Sequence, residues 1–461
     1  MSRSHNTAPA TLRNPLLPLV AVLALTVAGA LPSTAQDDDG LDALLAGEAV
    51  GESTAGGGLT GFVELRPRVY LADRSGPEND DQLLIEAEVE LERDLGRGWS
   101  LYLRPNFRFD AANSDFARTE SSELHLTWES ERFGLRLGRM VENWGVADTT
   151  NPLDVLNRRD LGGDLLDTER LAETGARLRW ELADRGALGE PTVSLYWIPL
   201  FRPTLFAPAG QRFALDREDA LFVDHGGFEP EGSDRSFAAA RFTGTLRTRP
   251  FDADLQLIAA RGPGRLPLPA PGPDDTLIPI YYQQDVLGGG LRAVANEDVL
   301  GRFLAGFTFK AEVAWNDPEA YQGAPIPAPE AHWSFVVGFD RAINGVFFEP
   351  DQLTLTLEYA GETGADDPAA RFRPFGDDLI GRLFWEANDF ARRSLELRTL
   401  YDLETDETIV ELIAQTQLRK LHEDLQLQLQ LQWFDGPGDG TSFFDLFPDN
   451  DSAALALRWD F

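Results

Sequence analysis

From Thr60 onward the chain alternates apolar and polar residues with a period of two. In the clearest run, Leu425, Leu427, Leu429, Leu431 and Trp433 fall on one side and Gln426, Gln428, Gln430 and Gln432 on the other. A helix cannot place every second residue on one face, whereas a strand does. Ile85, Ala87, Val89 and Leu91 alternate in the same way with Glu86, Glu88, Glu90 and Glu92. Leu101, Leu103, Pro105, Phe107 and Phe109 alternate with Tyr102, Arg104, Asn106 and Arg108. Phe307, Phe309, Ala311, Val313 and Trp315 alternate with Thr308, Lys310, Glu312 and Ala314. A soluble sandwich also alternates. Two features favour a membrane barrel instead: the polar faces are heavily charged, and the apolar faces often end in an aromatic residue, as at Trp128, Trp180, Trp315, Tyr359, Trp433 and Trp459.

The pattern predicts about eighteen strands, near 60–71, 82–94, 99–110, 121–130, 132–141, 172–183, 190–200, 236–248, 251–261, 284–295, 301–315, 332–343, 351–360, 379–389, 393–403, 407–419, 423–433 and 453–461. Sixteen is the alternative count, because the stretch 277–300 is the least regular. Short connections fall at Gly96-Arg97-Gly98, Ser130-Glu131, Arg249-Pro250, Asp389-Phe390-Ala391 and Lys420-Leu421. Long ones fall at 142–171, 201–235, 262–283, 316–331, 361–378 and 434–452, with a short one of the opposite parity at Leu403-Glu404-Thr405. Alternating short turns and long loops, with an even number of strands, are the habit of bacterial outer-membrane barrels. The expected fold is therefore all-β, a transmembrane antiparallel barrel over residues 59–461.

The ends of the chain add a compartment. Arg3 and Arg13 precede an apolar run, Leu16 to Leu31, and Ser33-Thr34-Ala35 offers small residues for cleavage, so 1–35 reads as a signal peptide. Residues 36–58 are acidic and then Gly-rich, the composition of a flexible periplasmic tail. No later stretch reaches the ~20 apolar residues of a spanning helix. The chain has no cysteine, so neither a disulfide nor a lipoprotein anchor is available. Leu455, Leu457, Trp459 and Phe461 share one face of the last predicted strand. A terminal Phe preceded by alternate apolar residues resembles the signal read by the outer-membrane insertion machinery, which adds such a strand to an open sheet edge. Here Trp459 and Phe461 would carry it.

The formal net charge is −35, and Lys310 and Lys420 are the only lysines. An acidic excess repels nucleic acid and attracts cations. It fits a cation-preferring pore or a high-salt habitat equally well. On the polar faces, Glu64, Arg66 and Arg68 are expected to lie beside Glu86 and Glu88, and Arg177, Arg179 and Glu181 form a second set. Opposite charges on neighbouring strands brace a wall, and a charged lining also filters solutes.

The most distinctive segment is Gly138-Arg139-Met140-Val141-Glu142-Asn143-Trp144-Gly145, followed by Asp148, Asn151-Pro152-Leu153-Asp154 and Arg158-Arg159-Asp160. Asn151-Pro152 favours a turn, and Asp154 can cap the next one. This segment resembles the DUF1302-type and porin-like outer-membrane proteins. That resemblance implies a large barrel that transports or passively admits a solute, without naming the solute. Glu142, Asn143, Asp148, Asn151, Asp154, Arg158, Arg159 and Asp160 are candidates for a constriction formed by an inward loop. Arg66, Arg68, Glu86 and Glu88 are candidates for the lumen wall opposite. A self-capped surface loop is the rival reading.

Enzymatic chemistry is poorly represented. After residue 35 the histidines are His125, His225, His332 and His422, and no Gly-x-Ser-x-Gly, phosphate loop or His-Glu-x-x-His occurs. Asp224-His225 stands alone. Asp37-Asp38-Asp39, Asp274-Asp275 and Asp449-Asn450-Asp451 offer oxygen ligands but lack the spacing of a calcium loop, so no cofactor or metal is expected. The first expectation is a porin-like channel for small solutes. The alternatives are a plugged, ligand-binding or structural barrel and a transporter of hydrophobic solutes. Phe201, Leu205, Phe206, Phe213, Leu221 and Phe222 would supply a packed lid or a contact surface. The expected partners are membrane lipid, lipopolysaccharide, the insertion machinery and small solutes. A homo-oligomer is compatible with the apolar strand faces.

Overall fold

The computed structural model describes residues 58–461 apart from 72–80, 113–116, 164, 167, 209–211, 216–220, 223–226, 249–250, 274–275, 296–305, 365–372, 437–442, 445–446 and 448–449. The signal peptide, the tail, Arg249-Pro250, Asp224-His225, Asp274-Asp275 and Asp449 lie outside the described residues.

One antiparallel sheet closes on itself. Its twenty ladder segments make eighteen strands among the described residues, because two short segments extend longer neighbours. The strands begin with β1 (Leu59–Tyr70), β2 (Gln82–Gly96) and β3, which is split into Trp99–Arg104 and Asn106–Asp110 by Pro105. Then come β4 (Glu123–Glu129, led in by Ala117–Arg118), β5 (Phe133–Met140), β6 (Glu173–Glu181), β7 (Leu188–Ile198) and β8 (Phe237–Arg247). β9 (Phe251–Pro263), β10 (Gln283–Ala295), β11 (Phe307–Glu319), β12 (His332–Asn344) and β13 (Gln352–Glu362) come next. β14 (Asp377–Glu386), β15 (Ser394–Asp402), β16 (Thr408–Gln417), β17 (Leu425–Asp435) and β18 (Ser452–Asp460) complete the wall. All eighteen coincide with the strands expected from alternation, including those flanking the irregular stretch near 277–300, so the count of sixteen is set aside.

Each strand pairs with its neighbour in the chain, and β1 pairs with β18 from Phe62↔Asp460 to Tyr70↔Ser452. Closure satisfies the edge groups that an open sheet would leave bare. At Pro105 the carbonyl still accepts from Val89 N of β2 at 3.2 Å, but the missing N–H breaks the ladder on that side. On the β4 side the Ser122 hydroxyl accepts from Asn106 N and donates to Asn106 O, each at 2.9 Å.

The outer surface carries Leu195, Trp197, Leu257, Leu287, Trp333, Val337, Leu455 and Leu457, all exposed. Their register neighbours of opposite parity, such as Ser194, Tyr196, Gln256, Ala454 and Ala456, are buried inside. A contiguous apolar belt around a closed sheet, with charge on the inside, is the inverse of a soluble barrel and suits contact with hydrocarbon. No helix among the described residues is long and apolar enough to cross a membrane.

One end of the barrel has the tight turns. In the turn after β2, Gly96, Arg97 and Gly98 all take left-handed φ values (82°, 60° and 79°), which is why glycine flanks the arginine. In the turn after β12, Asp351 accepts from Val346 N (2.7 Å), Phe347 N (3.0 Å), Phe348 N (3.3 Å) and Trp385 Nε1 (2.9 Å). Burial opposes ionisation there, but these donors outweigh it and hold the carboxyl below its ordinary value. The contribution to stability is therefore complete above the ordinary carboxylate range, near pH 4, and is lost as pH falls through the lowered folded value. Asp351→Ala is expected to lower the urea midpoint of the refolded barrel at pH 7 and to leave the midpoint less sensitive to acid than in the unaltered protein. An acid profile identical in the two proteins would refute the assignment.

Candidate functional site: the lumen and its inward loop

The connection between β5 and β6, residues 141–172, does not project outward. It turns into the barrel and lies against the inner wall. Trp144, Leu153 and Leu156 are fully buried against Tyr196, Ile198, Phe237, Ala239, Ile258, Val286 and Ala314, which are inward residues of β7–β11. The wall makes room for it. A Cβ on Gly288 would lie 2.4 Å from Leu153 Cδ2, and one on Gly290 would lie 3.0 Å from Leu153 Cδ1. The glycine run of β10 is thus a place where loop and strand approach too closely for a side chain.

Polar wall residues then hold the loop backbone. Glu312 on β11 accepts from Val146 N, from Ala147 N at 2.9 Å and from Leu153 N at 3.3 Å. Glu358 on β13 accepts from Asp148 N at 2.8 Å, Thr149 N at 3.1 Å and the Thr149 hydroxyl. Lys310 bridges Asp148 and Asp340. With its amide oriented to satisfy both ends, Asn151 donates to Glu312 and to Ala147 O, each at 3.0 Å. Hydrogen bonds from several backbone donors to one carboxylate are charge-assisted and strong in a low-dielectric interior.

These contacts give the loop candidates their partners. Glu142 is buried, paired with Arg177 (2.8 Å) and Arg136 (3.3 Å), and accepts from the Tyr196 hydroxyl (3.1 Å). Asp154 is fully covered between Arg159 (2.6 Å) and Arg170 (2.5 Å). Arg158 is buried, 3.5 Å from the fully buried Glu173, and donates to Pro203 O at 2.9 Å. Asn143 is exposed and contributes its carbonyl to Arg241 at 3.2 Å. Most of the loop candidates therefore fasten the loop. They were expected to line a constriction because spacing shows that polar residues are clustered, not which way each one turns.

The wall strands pair as expected, β1 beside β2, but the register sets Glu64 opposite Glu86 and Arg66 opposite Leu84, so no Arg–Glu pair lies directly across. Arg66 instead meets Glu64 on its own strand at 2.6 Å. Glu86 meets Arg108 on β3 at 3.0 Å, and Glu88 accepts from Asn106 at 3.2 Å and lies 3.9 Å from Arg104. The second set does meet opposite charge: Arg179 lies 3.1 Å from Glu181 and 3.4 Å from Glu129.

A cavity of about 350 Å³ remains between the loop and strands β1–β3. It is bordered by Glu64, Arg66, Arg68, Glu86 and Arg108 on the wall and by Asp160, Gly162, Gly163 and Glu169 on the loop. Of the twelve lumen candidates it unites Arg66, Arg68, Glu86 and Asp160. Arg108 and Glu169, 3.1 Å apart across it, were missed. The alternation placed Arg108 on the polar face, but nothing in the spacing brought the remote Glu169 to it.

Described residues of two other long connections pack inside the long-loop end of the barrel. Phe206 and Phe213 from the β7–β8 connection, and Phe443, Phe444 and Phe447 from the β17–β18 connection, are buried against Val336, Ala360, Ile380, Leu400 and Phe434 of the inner wall. Phe201 is buried too, edge-on to Tyr281 at 4.7 Å. Leu205 is half-buried, and the side chains of Leu221 and Phe222 lie outside the described residues. Phe201, Phe206 and Phe213 of this loop thus pack inside the mouth and do not form an exposed contact surface. The three described histidines after residue 35 each have separate surroundings. Tyr102 stacks on His125 at 4.8 Å, His332 bonds Glu330 O at 2.9 Å, and His422 is exposed at the short-turn end. Among the described residues no group of three His, Asp or Glu side chains is arranged to hold a metal.

Together these features define a transmembrane β-barrel of the outer-membrane type, with eighteen strands and a loop folded into its lumen. No protein-family profile matches the chain, and no curated relative matches it by sequence. The likeness to the DUF1302 type therefore stands on the 138–160 segment alone. Solved structures of outer-membrane proteins resemble the chain over most of its length. OccK2 (OpdF) of Pseudomonas aeruginosa, solved in complex with glucuronate, is 11% identical, with 87% of this chain and 96% of that one covered at a TM-score of 0.49. OccAB3 of Acinetobacter baumannii is 10% identical, covering 87% and 99% at 0.47. Wzi of Escherichia coli, described as a carbohydrate-binding β-barrel involved in group 1 capsule assembly, is 11% identical, covering 87% and 84% at 0.47. At these identities no residue role passes from them to this chain.

Proposed function

We propose that this protein is a porin-like channel of the outer membrane that admits small polar solutes past the inward loop, without chemistry on them. The observation that carries the reading is the cavity between β1–β3 and Asp160–Glu169. It is polar and lies inside a wall whose outside is apolar. Residues 1–35 serve export and are removed, residues 36–58 remain in the periplasm, and the short-turn end faces the periplasm. Membrane lipid and lipopolysaccharide surround the belt, and Trp459 and Phe461 present the last strand to the insertion machinery. The inward loop is the constriction. Planar-bilayer recording of the purified barrel tests the reading: discrete conductance steps are expected, and an electrically silent, correctly folded barrel would overturn it.

The cavity border carries four carboxylates, Glu64, Glu86, Asp160 and Glu169, against three guanidinium groups, Arg66, Arg68 and Arg108. With the chain at −35, a modest preference for cations is expected. Reversal potentials in a KCl gradient should then favour K⁺ over Cl⁻, and clear anion selectivity would refute the preference. The packed phenylalanines inside the mouth support a second reading, a plugged barrel that binds a ligand at its outer face. Swelling of liposomes in a small sugar distinguishes the two, since a plugged barrel admits none.

A further inference from the structure

Resting on the channel reading, we propose that the inner face of β16–β18 is a contact site for neutral, hydroxyl-rich solutes of the sugar class, with the half-buried Gln426 and Gln428 of β17 and Gln415 of β16 as its binding groups. Gln426, Gln428, Gln430 and Gln432 occupy consecutive inward positions of one strand; Gln430 and Gln432 are buried against Glu411, and Gln426 and Gln428 are half-exposed. Gln415 of β16, also half-exposed, lies in register with Gln428. No charged side chain interrupts the β17 column.

Each primary amide presents two N–H donors and one carbonyl acceptor without a net charge. Vicinal hydroxyls, which both donate and accept, can exchange water for such groups step by step. An ion gains little from them. Much of the remaining lumen consists of carboxylates and guanidinium groups, which favour ions over neutral hydroxyls.

The amides are also held in position. Gln415 donates to Gln426 at 2.7 Å, Gln426 to Asp460 at 2.7 Å, and Gln430 and Gln432 donate to Glu411 at 2.5 and 2.8 Å. Gln428 is half-buried and placed between them. Two independent features leave this sector usable. The neighbouring inward positions of β18, in register with Gln430 and Gln428, are the small Ala454 and Ala456. The inward loop is fastened by Glu312 and Glu358, on β11 and β13, not on these strands. Finally, Arg68 reaches across Ala454 to donate to Gln430 at 3.2 Å. Arg68 also borders the cavity beside the loop, so the top of the column and the cavity share a wall residue.

The test uses the full-length barrel, the double variant Gln426→Ala/Gln428→Ala, and the conservative double variant to Asn, all checked for folding by heat-modifiable mobility. Loss of about one net hydrogen bond per step corresponds to a roughly three- to ten-fold slower liposome swelling in sucrose for the Ala variant. Its KCl conductance is expected to stay close to that of the unaltered barrel, and the Asn variant to recover much of the swelling rate. Unchanged sucrose swelling, or a fall matched by an equal fall in KCl conductance, would overturn the contact site while leaving the channel intact. An unaltered barrel that passes neither KCl nor sucrose would overturn the channel reading, and this inference with it.

Discussion

Removal of residues 149–165 is expected to raise single-channel conductance at least about two-fold and to weaken ionic selectivity, because the deleted segment occupies lumen that water would then fill. The deletion takes away Leu153 and Leu156, the apolar anchors buried against β7–β11, and Asp160, which borders the cavity. It leaves the barrel wall continuous, since the ladders of β5 and β6 begin outside the deleted range. A milder variant isolates the fastening. Glu312→Ala withdraws the acceptor used by Val146, Ala147 and Leu153, leaving buried N–H groups unsatisfied at about 1–3 kcal/mol each. That loop is expected to leave the wall intermittently, so that current traces show added noise between the unaltered level and the deletion level. Unchanged conductance and selectivity in the deletion variant would end the assignment of 141–172 as the constriction.

Loss of Phe461 is expected to reduce the folded barrel in the membrane by roughly ten-fold, because strand addition at an open edge must begin from a defined end. In the closed barrel, Gly61 N donates to Phe461 O and Phe461 N donates to Gly61 O, each at 2.9 Å. The Phe461 ring lies 5.7 Å from that of Trp459. Phe461→Ala keeps the backbone pair and removes the ring, whereas deletion removes both. If recognition of the ring governs insertion, the two variants fail alike, and Phe461→Tyr assembles. If the backbone closure governs it, Phe461→Ala assembles nearly normally. Heat-modifiable mobility of membrane fractions distinguishes them. Normal assembly of all three would show that the terminal aromatic is not the signal.

Eighteen strands were legible because an exposed apolar face and a wet inner face impose a period of two that no helix can imitate. The run from Leu425 to Trp433 is sufficient alone to assign its two faces, and the structure places Leu429 and Trp433 outside and Gln430 and Gln432 inside. Parity is a local property of a strand, so it survives without any knowledge of the neighbours. Register is not local. The charge pattern set Glu64, Arg66 and Arg68 beside Glu86 and Glu88 without choosing partners; the offset between β1 and β2 is set by the whole closed ladder and puts Glu64 opposite Glu86. Glu86 is neutralised from its other side by Arg108.

The sequence by itself determined the barrel, its parity, the end that carries the long loops, and the segment from Glu142 to Asp160 as the one worth attention. Only the tertiary structure decided that this segment lies inside, that Glu312 and Glu358 fasten it, and that Gly288 and Gly290 admit Leu153. It also decided that Phe206, Phe213, Phe443, Phe444 and Phe447 pack together inside the barrel. The physical reason is the range of the interactions. Alternation reflects the contact of each residue with lipid or water, one position at a time. The loop and the packed phenylalanines are held by pairs remote in sequence, whose meeting depends on closure of the entire wall.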